Sequence, residues 1–179
     1  MRYVLLIVAL VGCRFGFDRA EEGGNLDHDA AISDAARDAA VDAASAGCPA
    51  SYVTLGAQTS RYRLITNSTV WLTAEQMCEA DGTHLAIIDD AAELTAIANA
   101  LATQNVWTGV TDRVAVGTFR KVTGAAAMYL PWDASEPDAS AAECVYLDGL
   151  TLKLCDQDCT SGRRAACECD GVSVDTSAY

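Results

Sequence analysis

The cysteines are the feature that most constrains how this chain folds. Eight of them occur in 179 residues, a density that indicates an oxidising compartment and disulfide bonds. Cys78 lies in a segment with helical spacing, and Cys144, Cys159 and Cys167 lie in the loop-rich part that follows. We therefore expect disulfides to join separate parts of one small domain.

The local patterns before Cys78 predict two strands and a helix. Residues 52–55 and 62–65 alternate loosely around polar residues, as short strands do around a turn. Apolar residues at helical spacing predict a helix over residues 71–82, with Ser68 or Thr69 as its N-cap.

A strand over residues 84–88 and a second helix follow. Asp90 with Glu93 three residues later forms a start resembling a capping box. The apolar residues that line one face of this helix are Leu94, Ile97 and Leu101. After Val106 the chain consists of short strands and loops, so the sequence predicts an α+β domain.

Charge and motifs exclude several functions. The net charge is −13 and the pI about 4.3, which argues against nucleic acid or an anionic membrane surface as a partner. His28 and His84 are the only histidines, and neither a Gly-x-Ser-x-Gly motif nor a phosphate loop occurs. We predict a protein that is not an enzyme.

The N-terminus predicts export. Arg2 precedes an apolar stretch over residues 4–11, which indicates a signal peptide over residues 1–12. Residues 10–13 resemble a bacterial lipobox, in which Cys13 would carry lipid. The alternative is an ordinary signal peptide with a chance cysteine. The lipoprotein hypothesis places the protein on the outer membrane or cell surface.

A change in composition divides the rest of the chain. Residues 13–47 contain an imperfect Asp-Ala-Ala repeat without aromatic residues, typical of a solvated, acidic tether. Residues 48–169 form the predicted domain, and residues 170–179 are a tail.

Several motifs of the domain belong together. They are Trp71-x-x-Ala74-x-x-x-Cys78, the stretches 82–86 and 107–110, Glu136-Pro137-Asp138 and the late cysteines. Together they resemble the C-type lectin-like domain family from about Cys48 to Cys169. The resemblance implies two helices, short antiparallel strands, a long loop region and disulfide bonds.

The resemblance also implies a set of disulfide bonds. The expected pairs are Cys78–Cys167 and Cys144–Cys159, and Cys48–Cys169 is a plausible third because the ends of this fold meet. Cys155 is left without an obvious partner.

In this family one loop holds calcium and a sugar together, using oxygen ligands from acidic and amide side chains. Glu136 and Asp138 flank a proline that follows a cis peptide in the family, and Asp156 matches a later ligand. Glu143 matches an acidic position of an auxiliary calcium and could replace a missing ligand, while Asp112 matches a weaker auxiliary position.

Three family positions are changed. Ala142 replaces a glutamate ligand, Cys155 an asparagine ligand, and Leu154 the usual tryptophan. The site is therefore degenerate, which leaves two hypotheses. One is a surface lectin that binds glycans through calcium, and the other is a calcium-independent module that binds a protein or another ligand.

Overall fold

The structure is a computed structural model that describes residues 47–138, 141 and 143–179. The predicted signal peptide, Cys13 and all of the tether except Gly47 lie outside the described residues, as does Ala142. Within the described ranges, no helix is both long and apolar enough to cross a membrane.

Two helices and eight strands occur in the described part of the chain. In chain order the elements are β1 (Val53–Thr54), β2 (Arg61–Thr69), α1 (Trp71–Glu79), β3 (His84–Leu85), α2 (Ala91–Ala100), β4 (Val106–Thr111), β5 (Arg120–Lys121), β6 (Cys144–Asp148), β7 (Lys153–Gln157) and β8 (Arg163–Cys169). The prediction of an α+β fold with two helices is confirmed.

One sheet connects all eight strands. Its main path runs β1-β2-β8-β4-β6-β7, while β3 pairs with β8 and β5 with β4. All pairs are antiparallel except β4 with β8, which are parallel. The expectation of antiparallel strands fails at that pair, because β4 and β8 are joined by a long connection rather than a hairpin.

The predicted cap of α1 is wrong. Ser68 and Thr69 lie within β2, so the N-cap position falls to Val70, whose side chain makes no capping hydrogen bond. The N–H of Trp71 instead donates to the carbonyl of Cys159 at 3.0 Å. A distant loop thus accepts from one of the backbone donors that every helix start leaves free.

The capping prediction for α2 is confirmed. The Asp90 side chain accepts from the N–H of Glu93 at 2.8 Å, and the Glu93 carboxylate accepts from the N–H of Asp89 at 2.8 Å. Both bonds stabilise the start of the helix, and Glu93 reaches the residue before the cap rather than the cap itself.

Three disulfides join the ends and the middle of the domain. They are Cys48–Cys169, Cys78–Cys167 and Cys144–Cys159, the pairs that the family resemblance implies. Cys155 is a buried free cysteine.

The last ten residues pack on the domain. The N–H of Asp175 donates to the carbonyl of Val122 at 2.8 Å, and Ala178 is buried. The Tyr179 ring meets Trp71 edge-on at 5.4 Å between centroids. Residues 170–179 therefore cover part of the core around Trp71.

Candidate functional site

The loop before β6 carries the candidate site. Backbone hydrogen bonds join it to β7: the N–H of Leu154 donates to Pro131, and the N–H of Asp133 donates to Leu154. The Glu136–Pro137 peptide bond is cis, as the family resemblance implies. The loop thus holds Glu136 and Asp138 beside the end of β7.

Three carboxylates converge at this point. One oxygen each from Asp138, Glu143 and Asp156 lies within 4.8 Å of the other two. Asp138 is exposed, whereas Glu143 and Asp156 are 7% and 6% exposed. The site thus combines a loop residue with residues at the open end of the β6–β7 hairpin.

Asp112 lies next to this cluster but does not join it. Its two oxygens accept backbone N–H groups, from Glu143 at 2.5 Å and Gly117 at 2.7 Å. The Thr111 hydroxyl also donates to the carbonyl of Glu143 at 2.6 Å. Asp112 therefore positions the Glu143 backbone. Sequence reasoning missed this role, although an acid directly after the fully buried β4 is a signal for it.

Several oxygens of the site lack hydrogen-bond partners. Buried oxygens of Glu136, Glu143 and Asp156 accept no hydrogen bond in the described structure. Burial, reinforced by the neighbouring carboxylates, raises the pKa of Glu136 and of Glu143 to about 7. Buried polar atoms are rarely left unpaired, so these oxygens are chemically suited to accept a cation.

The donor set fits calcium. Carboxylate oxygens are the ligands that this hard cation prefers. Asp138, Glu143 and Asp156 can each supply at least one. Glu136 is not one of these three clustered residues, but it lies near them, since burial and the charges of Asp156 and Asp138 raise the pKa of Glu136.

Cys155 does not belong to this oxygen cluster. It lies opposite Tyr146 in the β6–β7 ladder, and its sulfur is not one of the clustered ligand atoms. Burial raises the pKa of its thiol, which makes a thiolate nucleophile unfavourable near neutral pH.

Comparison with known proteins decides the family. The model of the "Lectin C-type domain" family matches residues 67–169, more than half of the chain. The chain belongs to the C-type lectin family. C-type lectin domains are generally carbohydrate- or ligand-binding modules rather than enzymes, and are generally extracellular or on the cell surface.

A curated C-type lectin relative and two solved structures resemble the chain. C-type lectin domain family 3 member A of Bos taurus is 33% identical over 64 residues, which span 35% of this chain and 32% of that protein. The match thus covers about a third of the relative's length.

Two solved structures match a larger share of this chain than that relative does. The cow C-type carbohydrate-recognition domain of CD23, crystallised in the presence of a GlcNAc2Man3 oligosaccharide, has a TM-score of 0.60 and 25% identity, covering 68% of this chain and 94% of that one. A calcium-independent type II antifreeze protein has a TM-score of 0.62 and 22% identity, covering 71% and 95%. This second likeness concerns the fold alone.

Proposed function

We propose that this protein is a surface-anchored lectin that binds glycans through calcium held by Glu136, Asp138, Glu143 and Asp156. The observation that carries the proposal is the convergence of the carboxylates of Asp138, Glu143 and Asp156, in which one buried oxygen of Glu143 and one of Asp156 accept no hydrogen bond. Such a group repels itself without a cation, and a divalent ion would relieve the repulsion.

Two of the four residues are suited to bind the ion alone, and the other two are suited to bind both the ion and the sugar. Glu143 and Asp156 are buried and fixed by β6 and β7, so they are suited to hold the cation. Asp138 is exposed and Glu136 half-buried, so they can also accept hydrogen bonds from sugar hydroxyls. The calcium ion would coordinate two of those hydroxyls directly.

Glu143 compensates for the lost ligands at residues 142 and 155. In the family resemblance it belongs to an auxiliary position, yet its carboxylate lies in the main cluster here. Its backbone N–H donates to Asp112 and its carbonyl accepts from the Thr111 hydroxyl, and both bonds support this placement. We therefore place Glu143 among the ligands of the sugar-binding calcium.

Calcium-dependent melting tests the proposal. A ligand that binds only the folded state raises the melting temperature by mass action, so millimolar calcium should raise it and should permit binding on a glycan array. Glu136→Gln should reduce both effects. Asp148→Asn is the matched control, because Asp148 lies outside the cluster and an amide oxygen can still accept the N–H groups that it caps. Unchanged melting together with glycan binding that survives EDTA would refute the calcium site.

A calcium-independent ligand-binding module is the second candidate. Leu154 and Cys155 occupy family positions that normally support the ion, and the Cys155 sulfur lies outside the oxygen cluster. The structurally similar antifreeze protein is calcium-independent. This candidate gains support if a protein partner binds equally in calcium and in EDTA.

The proposal also includes the anchor. Residues 1–12 would be the signal peptide, Cys13 the lipidated residue and residues 13–47 the tether that holds the domain away from the membrane. Cys13→Ser should move the protein from the membrane fraction to the soluble fraction. A variant that stays in the membrane fraction would disprove the lipid anchor.

A further inference from the structure

A second cleft lies at the turn end of the β6–β7 hairpin, whereas the carboxylate cluster lies at its open end. The cleft has a volume of about 570 Å³, enough for a sugar unit with its substituents. Its walls come from β2, from the loop after α2, from the hairpin turn and from the start of β8.

The cleft is basic although the chain is acidic. Arg163 and Arg164 line it, and no aspartate or glutamate does. Among the described residues, neither arginine forms an ion pair with a carboxylate. The charge of Asp148 attracts the Arg163 guanidinium, but the two groups form no ion pair. The Asp148 carboxylate instead accepts hydrogen bonds from the N–H groups of the hairpin turn. The cleft thus carries positive charge without an acidic partner.

Local contacts fix both arginines. The Arg164 Nη1 donates to the carbonyl of Leu101 at 3.1 Å, which leaves its other nitrogens for a ligand. The Arg163 guanidinium lies 3.7 Å from the centroid of the Tyr146 ring, and its Nη2 donates to the Gln157 side chain. Neither of these partners lines the cleft, so Arg163 adds positive charge beside the cleft while Arg164 supplies the donors for a ligand.

Two glycines bring the walls together. A Cβ at Gly149 would lie 2.4 Å from the backbone of Thr103, and a Cβ at Gly162 would lie 2.5 Å from the Ser68 hydroxyl. The backbone at Ala102 and Thr103 is left-handed, with φ of 54° and 56°, a conformation that costs free energy in residues other than glycine. The fold therefore builds this cleft at some cost in stability.

We propose that this cleft binds an acidic saccharide, with its sulfate or carboxylate group on Arg164. Arginine binds such oxyanions with paired hydrogen bonds. Hydroxyl and amide groups line the same cleft and match sugar hydroxyls, namely those of Thr66, Ser68, Gln104 and Asn105. The interaction requires no calcium and is independent of the site proposed above.

Calorimetric titration in EDTA tests this site with three probes: a sulfated uronic acid–glucosamine disaccharide, its unsulfated form and inorganic sulfate. The sulfated disaccharide should bind at least about tenfold more tightly than the other two, because only it engages both charge and hydroxyl groups. Equal affinity for inorganic sulfate would overturn the saccharide assignment, and equal affinity for the unsulfated sugar would overturn the role of the arginines.

Variants separate a specific cleft from general charge attraction. Arg164→Gln should weaken the sulfated disaccharide about tenfold or more. Arg120→Gln removes the same charge from an exposed residue outside the cleft and should leave the affinity within about twofold. Equal losses in the two variants would refute the proposal.

A further variant and a second measurement distinguish loss of binding from misfolding of the variant. Gln104 is exposed, so Gln104→Ala should preserve the fold and weaken binding a few-fold by loss of one hydrogen bond. Each variant should keep the melting temperature rise in calcium seen for the unaltered protein, whatever its size. A Gln104→Ala protein that melts normally and binds with full affinity would contradict the placement of the sugar.

Discussion

The domain buries charged side chains in two regions, around β3 and in the loop of the candidate site. Around β3, the Glu75 carboxylate accepts the N–H of Leu85 and the Glu168 carboxylate accepts the N–H of Ile87, at 2.8 and 2.9 Å. The buried His84 lies 3.1 Å from Asp170. Glu75 keeps one buried oxygen unpaired, but every charged group here has at least one polar partner.

The loop region differs in what surrounds its charges. Glu143 and Asp156 are as buried as Glu168, yet their nearest charged neighbours are other carboxylates. Buried acids that bond to backbone N–H groups stabilise the fold, whereas acids gathered on one another weaken it. The difference separates carboxylates that stabilise the domain from those that we propose as calcium ligands.

Removing disulfides should separate the two regions most strongly. Replacing Cys78 and Cys167 by alanine opens a loop of 89 residues that holds α1 to β8, and should cost about 4–5 kcal/mol of unfolding free energy. The same change at Cys144 and Cys159 opens 15 residues beside the site and should cost about 3 kcal/mol. Urea denaturation measures both.

Calcium melting of the same two variants sharpens that test. Only the loss of Cys144–Cys159 should abolish the calcium response, because that bond holds the start of β6, directly after Glu143. An equal calcium response in both variants would contradict the separation of the two regions.

The paired histidine should give the β3 region its own pH dependence. Burial favours the neutral ring, but the hydrogen bonds that the ring donates to Asp170 and to the Leu85 carbonyl, together with the charge of Glu168, raise the pKa of His84 to about 9. The charged form is therefore favoured by folding. Its contribution is complete below about pH 6.5 and is lost as the pH rises through about 9.

The raised pKa of Glu75 and that of Glu168 are both about 7, so these acids are ionised across the window from pH 7.5 to 9.5. The buried thiol of Cys155, whose pKa is also raised, would add a fall of the same sign, and Cys155→Ala is therefore the background in which the window isolates His84. The unfolding free energy should fall by on the order of 2 kcal/mol across this window. His84→Gln should be less stable at pH 7.5 and should lose most of that slope. If the unfolding free energy of His84→Gln falls equally across this window, the pH dependence does not come from His84.

The smallest effect should come from neutralising one acid of the carboxylate cluster. Asp156→Asn keeps the oxygen that accepts the N–H of Asp138 but removes a charge from the cluster. Without calcium it should stabilise the protein by about 1 kcal/mol, because it relieves repulsion. With calcium it should lose the rise in melting temperature. If Asp156→Asn destabilises the protein in EDTA, repulsion among these carboxylates does not weaken the fold.

The fold could be predicted well from the sequence because local and family signals agree. Helical spacing from Trp71 and the Asp90–Glu93 cap locate both helices. The N-cap of α1 could not be found, since its first N–H is paired with Cys159 through tertiary packing. The parallel pairing of β4 with β8 likewise depends on the whole sheet.

The candidate site could be predicted only in part from the sequence. Glu136, Asp138 and Asp156 follow from motif positions, and Glu143 follows from the sequence as a possible replacement ligand. Only the fold shows that the Glu143 carboxylate lies with those of Asp138 and Asp156. The arginine-lined cleft combines residues from four separated segments. No local pattern marks such a site, because its charges become neighbours only after folding.

The bond between Cys48 and Cys169 has a mechanical consequence. Cys48 lies at the start of the domain, and Cys169 ends β8, which pairs with β2 on one side and β4 on the other. Tension applied through the preceding segment therefore passes directly to an interior strand instead of peeling β1 from the sheet edge. A force on β8 acts on two ladders of hydrogen bonds, one to β2 and one to β4. Pulling on the N-terminal end should therefore unfold the domain only when both ladders break together.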